Sequence, residues 1–355
     1  MENTYNLLVG TYTKSQHDKG IYIFGFVPAT MAVTLKECYK NVASPSYLSI
    51  DERKEVLYCV NEDGSNSSVS AFRYWHESGK LQLLNRVATG IDPCYLAHND
   101  RHVLAANYGS GSIAVFERLP DGSLTDAVQV VRHEGGSIKQ PRQEGPHVHM
   151  VQFSPGQQLV YANNLGNDSV YIYEYDPDGD CSVLALRTKI AVTPGFGPRH
   201  LAFHPSGKYF YIVHELAAIV EAYNCVGGEA TLQQQVPLYT GNDRRYKSGA
   251  DIRLTADGRF AYATNRGMAN TITAFEISED GTLSVLQQLA SGGDSPRNLI
   301  IDPTGSCILV AHENSGNITF FSRNKADGRL SYEDRSISLP SPVFLALTSG
   351  NVSGT

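Results

Sequence analysis

The sequence lacks the features of a membrane or secreted protein. No stretch approaches the roughly 18 apolar residues of a membrane-spanning helix. The opening segment "MENTYNLLVGTYTK" has no basic region followed by a long apolar run. We therefore expect no membrane span, no signal peptide and a cytoplasmic location.

Closely spaced cysteines are also missing. The six cysteines form no C-x-x-C pair and no zinc signature; they are Cys38, Cys59, Cys94, Cys181, Cys225 and Cys307. This spacing predicts buried free thiols in a reducing compartment rather than a disulfide framework. No motif calls for a metal or another cofactor, and no G-x-S-x-G motif indicates a serine nucleophile.

Positive charge is scarce as well. The 355 residues include 29 Lys and Arg against 36 Asp and Glu, a net charge of −7. Nucleic-acid binding needs a basic face, so nucleic acid is a poor candidate partner. With 41% hydrophobic and 18% charged residues, the composition is that of a folded protein with a large core.

What the chain does contain is a repeat. The segments "SPSYLSIDERKEVLYCVNE" from Ser44, "GPRHLAFHPSGKYFYIVHE" from Gly197 and "SPRNLIIDPTGSCILVAHE" from Ser295 share a Pro, a Leu three residues later and a final Asn-Glu or His-Glu. Aligned copies place the Pro column at residues 45, 93, 148, 198, 249, 296 and 342. Four short strands per roughly 50 residues, without helical periodicity, predict an all-β, seven-bladed β-propeller with four-stranded antiparallel blades.

The two ends of the chain complement each other. The last copy keeps only its first strand, whereas the N-terminal segments "YNLLVGTYT", "KGIYIFGFV" and "VTLKECYKNVA" are three strands without a first one. We therefore expect residues 1–355 to form a single propeller domain whose last blade combines about 1–43 with 341–348. Two stacked β-sandwiches, the alternative, would not predict this complementary shortage.

The repeat also predicts where polar side chains meet. In a blade the first strand lines the channel and the second returns beside it, so the start of one and the end of the other share a mouth. The first set of mouth residues is Ser46, Cys94, His149, Arg199, Ala250, Arg297 and Val343. The second set is Thr11 or Tyr12, Glu62, Tyr108, Leu165, Glu215, Arg266 and Glu313.

Two long connectors, residues 132–149 and 239–251, are expected at the same mouth. They add positive charge through Arg132, Lys139, Arg142, Arg244, Arg245 and Lys247. An acidic protein that gathers its cations at one opening is suited to a small anionic ligand.

Other repeat positions favour a structural role. An Asn or His precedes the second mouth position in six copies, at Asn61, Asn107, Asn164, His214, Asn265 and His312, where it suits bonds to neighbouring backbone. His204 falls in the far turn of its hairpin. His200 is expected to point away from Arg199, because successive strand residues face opposite sides.

With these residues in place, the sequence resembles the seven-bladed propeller lactonases, the 6-phosphogluconolactonase group related to fungal carboxy-muconate cyclase. The resemblance spans essentially the whole chain and is carried by "LLVGTYT", "GPHVHMVQFSP", "NNLGNDSVYIYEYD", "GPRHLAFHPSGKYFYIVHE", "ADIRLTADGRFAYATNRG" and "SPRNLIIDPTG". Asn164 stands where relatives often carry Asp. The resemblance implies lactone chemistry on an anionic sugar acid, first of all conversion of 6-phosphogluconolactone to 6-phosphogluconate in the pentose phosphate pathway.

The resemblance also implies residue roles. The cyclase branch places a His, two Arg and a Glu around the channel mouth, which by local motif fall on His149, Arg199, Arg266 and Glu215, with His147 as an alternative histidine. The expected substrate-binding residues are His147, Arg297, Glu62, Glu313, Tyr108, Arg245 and Lys247. No metal or cofactor is expected.

A mechanism can be framed from these residues. Arg199 and Arg266 would stabilise the oxyanion or hold the anionic group of the substrate. Glu215 or His149 would be the general base, with Glu215 preferred because apolar strand walls can raise the pKa of a carboxyl group. His149 would orient water or protonate the leaving alkoxide, and the basic connectors would bind the 6-phosphate.

Two other functions remain open at this point. One is a cyclase or lactonase for a carboxy-muconate-type acid at the same mouth. The other is a non-enzymatic propeller that binds a partner protein on one face. The expected partner is a small anionic substrate, with no membrane and no nucleic acid, on a monomer or weak homodimer.

Overall fold

The fold is a ring of seven β-sheets. The structure, a computed structural model, describes residues 4–14, 18–179, 182–226 and 229–349. Over these residues the chain forms seven sheets, each with four antiparallel strands. This confirms the predicted all-β, seven-bladed propeller. Two short 3₁₀ turns, Gly64–Asn66 and Arg244–Tyr246, follow strands at the channel mouth.

The strands are numbered along the chain. Blade 1 contains β28 (Pro342–Ser349), β1 (Tyr5–Thr11), β2 (Ile21–Val27) and β3 (Ala32–Tyr39). Blade 2 contains β4 (Leu48–Asp51), β5 (Val56–Asn61), β6 (Ser68–Trp75) and β7 (Lys80–Ala88). Blade 3 contains β8 (Pro93–His98), β9 (His102–Asn107), β10 (Ser112–Arg118) and β11 (Leu124–Arg132). Blade 4 contains β12 (Val148–Phe153), β13 (Leu159–Asn164), β14 (Ser169–Tyr175) and β15 (Leu184–Ala191).

The remaining three blades follow the same order. Blade 5 contains β16 (Pro198–Phe203), β17 (Tyr209–His214), β18 (Ile219–Val226) and β19 (Glu229–Pro237). Blade 6 contains β20 (Gly249–Leu254), β21 (Phe260–Asn265), β22 (Thr271–Ile277) and β23 (Leu283–Ala290). Blade 7 contains β24 (Pro296–Ile301), β25 (Cys307–His312), β26 (Asn317–Arg323) and β27 (Leu330–Ser338).

The ring closes through the two ends of the chain, as predicted. β28 pairs antiparallel with β1, with Leu8 opposite Ala346 and Val9 opposite Leu345. Pairing supplies β28 as the innermost strand of blade 1 and leaves β1 without an open edge.

Burial is greatest in the second strand of a blade and least in the outermost strand. The second strands β5, β9, β21 and β25 are buried along their whole length, which matches their continuous apolar sequences. The outermost strands, such as β7 and β27, are mostly exposed. The core therefore lies between the inner strands of adjacent blades.

Hairpin turns join neighbouring blades. The turns at Asp121-Gly122, Asp280-Gly281 and Asp327-Gly328, between the third and fourth strands of their blades, have glycines with positive φ. Tyr262 in blade 6 donates a hydrogen bond to the carbonyl of Gly328 in blade 7, 2.7 Å away. A Cβ on Gly328 would lie 2.3 Å from Phe260, so only glycine permits this close approach. Tyr58 and Tyr211 make the same contact with Gly122 and Gly281.

Phe344 offers a test of ring closure. Its side chain is 5% exposed and its ring centroid lies 4.4 Å from that of Tyr47 in the segment leading to blade 2. We expect Phe344→Ala to lower the free energy of unfolding by about 3–5 kcal/mol, because a large buried ring leaves a cavity. Urea unfolding measures this; Leu186→Ala on the exposed strand β15 is the control and should change stability by less than about 0.5 kcal/mol. Equal losses in both variants would contradict the closure.

Several smaller predictions can now be placed. Cys59, Cys94 and Cys307 are buried free thiols, Cys38 and Cys225 are free and partly exposed, and Cys181 lies outside the described residues. His204 lies in the far hairpin turn, with Nε2 3.0 Å from the carbonyl oxygen of Gly258, as predicted. Within the described ranges, no helix is long and apolar enough to cross a membrane.

Candidate active site

A cavity of about 340 Å³ lies at one mouth of the central channel. Its lining consists of Tyr12, Glu62, Asp92, Cys94, Tyr108, Arg142, His149, Glu215, Arg266 and Arg297. Most of these side chains come from the two mouth positions of the repeat. A larger groove of about 810 Å³ adjoins it beside Tyr12 and Glu313, but its lysines Lys14, Lys19 and Lys40 are exposed to solvent. Buried charge is concentrated in the smaller cavity, which is therefore the candidate active site.

Backbone bulges aim the first set of side chains into this mouth. At the start of β16 the pairing with β17 passes from Pro198 to His200, so Arg199 is an extra, unpaired residue. The same shift leaves His149, Arg297 and Cys94 unpaired at the starts of β12, β24 and β8. A bulge redirects its extra side chain and is common beside active sites. The repeat therefore builds the site from bulges as well as from hairpin geometry.

Glu215 lies at the centre of the cationic side of the cavity. Its carboxylate contacts three guanidinium groups: Arg142 at 2.6 Å, Arg266 at 2.9 Å and Arg199 at 3.1 Å. Glu215 is 5% exposed and Arg199 is 2% exposed, whereas Arg142 and Arg266 reach the cavity. Glu215 thus brings together three cations that would otherwise repel one another.

The expected raised pKa of Glu215 is wrong. Burial does oppose its ionisation, but the charges of Arg266, Arg142 and Arg199 outweigh burial and hold the pKa of Glu215 well below its usual value. Apolar strand walls were expected to dominate, and the sequence did not show that both carboxylate oxygens would be engaged by arginines. Glu215 is therefore an anion at neutral pH that organises cations, and a poor general base.

Arg199 is held from beneath by a buried polar network. Its Nη1 lies 3.2 and 3.4 Å from the two ring nitrogens of His200, nearly equidistant, so the guanidinium group lies against the face of the imidazole ring. His200 Nδ1 is 2.8 Å from Asp251 Oδ1. Asp251 also accepts hydrogen bonds from Asn298 and the backbone of Leu299.

The predicted orientation of His200 is therefore wrong. The bulge at Arg199 breaks the alternation of the strand, and both neighbours then face the channel. Burial and the charge of Arg199 lower the pKa of His200 to about 3, which keeps the imidazole neutral. Because Asp251 is acceptor-only when ionised, His200 Nδ1 carries the proton.

A second carboxylate, Glu62, faces Glu215 across the cavity. It follows β5 in blade 2, and blade 5 is three blades away around the ring. Ser46 donates a short hydrogen bond to Glu62 Oε1. Burial raises the pKa of Glu62 to about 7, with Asp92 and Glu313 adding to the shift and with Arg297 and Ser46 opposing it. The two carboxyl groups thus have very different proton affinities.

Arg297 also lines the cavity and is held by residues that follow β1 and β25. Its Nη2 donates to the hydroxyl of Tyr12 at 2.7 Å, and its Nη1 lies 3.5 Å from Glu313 Oε2. Arg297 and Tyr12 line the cavity, whereas Glu313 lies at the border with the adjoining groove. Glu313 therefore positions Arg297.

The two histidines have separate places. His149 lines the cavity, and burial together with Arg199 and His200 lowers its pKa well below the usual value, so the ring is neutral. Its Nδ1 is buried without a hydrogen-bond partner in the part of the chain that the structure describes. His147 stacks on Tyr108, with ring centroids 4.3 Å apart, and does not line the cavity.

Only one connector sends a cation into the cavity. Arg142 of residues 132–149 reaches Glu215 and also Tyr108, at 3.2 Å. Arg245 instead pairs with Asp243 at 2.7 Å, and its side chain is 71% exposed. Neither Arg245 nor Lys247 lines the cavity, which corrects their expected place in the substrate site. Asp243 lies two residues before Arg245 and holds its guanidinium group in an ion pair outside the cavity.

The Asn and His residues that precede the second mouth position make structural contacts at Asn164, Asn265 and His214. Asn164 accepts hydrogen bonds from the backbone of His147 and Gly166, and Asn265 bonds the backbone of Ser248 and Tyr246. His214 is buried 2.9 Å from Glu221, away from the cavity.

Across the described ranges, no three His, Cys, Asp or Glu side chains are grouped in a way that would hold a metal ion.

The repeat gave little or no prediction that three of the cavity residues would line the site. Arg142 is on an irregular connector, where the repeat defines no position, and Asp92 precedes the first strand of blade 3. Tyr12 was one of two alternatives, because the N-terminal blade starts without its first strand. Only the charge of the connector marked Arg142 in advance.

Comparison with known proteins agrees with this architecture. Residues 6–347 match the family described as lactonase, 7-bladed beta-propeller. The chain is 35% identical to the 6-phosphogluconolactonase of Bacillus subtilis over 341 residues, covering 94% of this chain and 96% of that protein. It is 30% identical to an uncharacterised protein of Staphylococcus saprophyticus, with the same coverage of both chains.

Solved structures give the same result. The periplasmic gluconolactonase of Pseudomonas aeruginosa has a TM-score of 0.92 and 32% identity, and the match covers 98% of this chain and 100% of that one. A Bacteroides fragilis protein has a TM-score of 0.93 and 35% identity over 98% of both chains. The match extends around the whole ring, and the chain therefore belongs to the lactonase family of seven-bladed β-propellers.

Proposed function

We propose that this protein hydrolyses the lactone ring of an anionic sugar acid, with 6-phosphogluconolactone as the first candidate substrate. The observation that carries the proposal is one cavity lined by three arginines, Arg142, Arg266 and Arg297, and by three carboxyl groups, those of Glu62, Asp92 and Glu215. Relatives named 6-phosphogluconolactonase in Bacillus subtilis and Formosa agariphila support the choice of substrate.

The cavity offers what lactone hydrolysis requires. Attack of water on the lactone carbonyl creates a negative oxygen, and guanidinium groups held by fixed carboxylates stabilise it without reorganising. Arg266, held by Glu215, is the donor we assign to that oxygen. Arg142 and Arg297, which also line the cavity, suit the phosphate or the hydroxyl groups of the substrate.

A lactone without phosphate is the second candidate. Arg245 and Lys247 lie outside the cavity, and the Pseudomonas aeruginosa relative is named a gluconolactonase. A carboxy-muconate-type acid remains compatible with the arginines. A protein-binding role fits less well, because protein interfaces favour apolar and aromatic surfaces and the mouth is charged.

The experiment compares fresh 6-phosphogluconolactone with δ-gluconolactone, each measured above spontaneous hydrolysis. We expect turnover of both and a KM at least about tenfold lower for the phosphorylated substrate, because one charge-assisted hydrogen bond contributes about 1.5–3 kcal/mol. Equal KM values would favour the unphosphorylated substrate class. Absence of turnover on either lactone, together with turnover of a carboxy-muconate lactone, would overturn the sugar-acid assignment.

A further inference from the structure

We propose that Glu62, not Glu215, is the general base that activates water in this cavity. The proposal rests on the lactone hydrolysis proposed above and assigns its proton transfer. Glu62 and Glu215, two of the three carboxyl residues that line the cavity, lie in blades 2 and 5, on opposite sides of the ring, so a ring-shaped substrate in the mouth has one on each side.

The contacts of the two carboxylates separate their roles. Glu215 is held by three guanidinium groups on its two oxygens, which leaves it no lone pair of adequate basicity. Glu62 forms no ion pair with any residue in the described ranges, and its one hydrogen bond comes from the neutral hydroxyl of Ser46. Ser46 engages Oε1, which leaves Oε2 for a water molecule in the cavity.

The surroundings of Glu62 suit a proton acceptor. The groups that face it are Tyr12, Ser46, Asp92, Cys94, Arg297 and Glu313. Asp92 and Glu313 disfavour its ionisation, and the one cation, Arg297, is already engaged by Tyr12 and Glu313. Burial together with these groups raises the pKa of Glu62 to about 7, where a base operates best at neutral pH.

The proton balance of the step is complete. Glu62 takes a proton from water as the water oxygen bonds to the lactone carbonyl carbon, and the carbonyl oxygen becomes an anion near Arg266. When the ring C–O bond breaks, protonated Glu62 returns the proton to the leaving alkoxide. The product is a hydroxy acid, whose carboxyl group releases one proton to solvent.

The test uses Glu62→Gln, which keeps the size of the side chain and can still accept the Ser46 hydrogen bond. We expect kcat to fall about a hundredfold with KM within about threefold of wild type. The acid limb of the pH profile, expected near pH 7 because protonation removes the base, should disappear. The matched control is Glu333→Gln on the exposed strand β27, with wild-type rates.

Ser46→Ala provides a second variant. The Ser46 hydrogen bond favours the ionised form of Glu62, so its loss should move the acid limb to higher pH by about half a unit or more. An acid limb that stays in place in Ser46→Ala, or that persists in Glu62→Gln, would overturn the assignment to Glu62.

Stability gives a readout that does not depend on turnover. The folded-state pKa of Glu62 lies above its unfolded value, so its contribution to stability is lost as pH rises from about 5 through about 7. Glu62→Gln should therefore melt at a higher temperature than wild type at pH 8, with a smaller difference at pH 5. An equal difference at both pH values contradicts the proposal. Wild-type protein inactive on all lactones would instead refute the proposed function, and the role of Glu62 with it.

Discussion

Glu215→Gln is expected to lower kcat/KM on the lactone by about a thousandfold. The glutamine amide keeps the shape of the side chain but removes the charge that holds Arg142, Arg199 and Arg266 within 3.1 Å. Without that charge the three guanidinium groups repel one another and lose the arrangement that stabilises the oxyanion. Removal of one donor to an oxyanion costs about 10²–10³ in rate, and this substitution disturbs three cations at once.

The same substitution is expected to destabilise the fold. Removing one partner from a buried ion-pair cluster leaves uncompensated charge and costs about 3–5 kcal/mol. The folded-state pKa of Glu215 is depressed, so its stabilising contribution is present above the unfolded pKa and is lost as pH falls through the folded value. Wild-type protein should therefore lose stability below about pH 5 more steeply than the variant does.

Chemical unfolding at pH 7 and pH 4, together with kinetics at a temperature where the variant is folded, measures both effects. Glu276→Gln on the exposed side of β22 is the matched control and should be neutral in both assays. If Glu215→Gln kept wild-type kinetics while folded, the arginine cluster would not be part of the catalytic site.

The order of the blades and the closure of the ring could be read from the sequence because they follow from the repeat. The aligned positions 93, 148, 198, 249, 296 and 342 are the first residues of β8, β12, β16, β20, β24 and β28. A turn, an apolar run and a fixed spacing specify a blade regardless of its neighbours. The meeting of Arg199 and Glu215 at one mouth followed from the same hairpin geometry.

What the repeat could not provide were the contacts between blades and the proton affinities that depend on them. The bulge that turns His200 toward Arg199 is a register shift of one residue, and no residue type in "GPRH" marks it. Arg142 reaches Glu215 from a connector of irregular structure. Since its charge and that of Arg266 reverse the expected pKa shift of Glu215, a repeat position alone was not enough to identify the base.

Arg199 and Arg266 also proved to differ in a way that the repeat did not show. Both contact Glu215, but Arg199 lies behind it against His200 and the backbone of Ala250, while Arg266 lines the cavity. Burial together with Arg266 and Arg297 lowers the pKa of Arg199 to about 9, so it is still charged at neutral pH. We therefore propose that Arg199 is a positioning residue and that Arg266, which lines the cavity, contacts the substrate.

Arg266→Met is accordingly expected to lower kcat by up to about a thousandfold with a small loss of stability. The cavity would lose the donor assigned to the oxyanion, while Glu215 would keep Arg142 and Arg199 as partners. Arg266→Lys keeps the charge but not the planar fork, so it should recover only part of the rate. Arg329→Met, in the exposed hairpin turn between β26 and β27 at the opposite end of the channel, is the matched control. Steady-state kinetics of the three variants tests whether Arg266 stabilises the transition state. A raised KM with unchanged kcat in Arg266→Met would show that Arg266 binds the substrate in its ground state and does not stabilise the transition state.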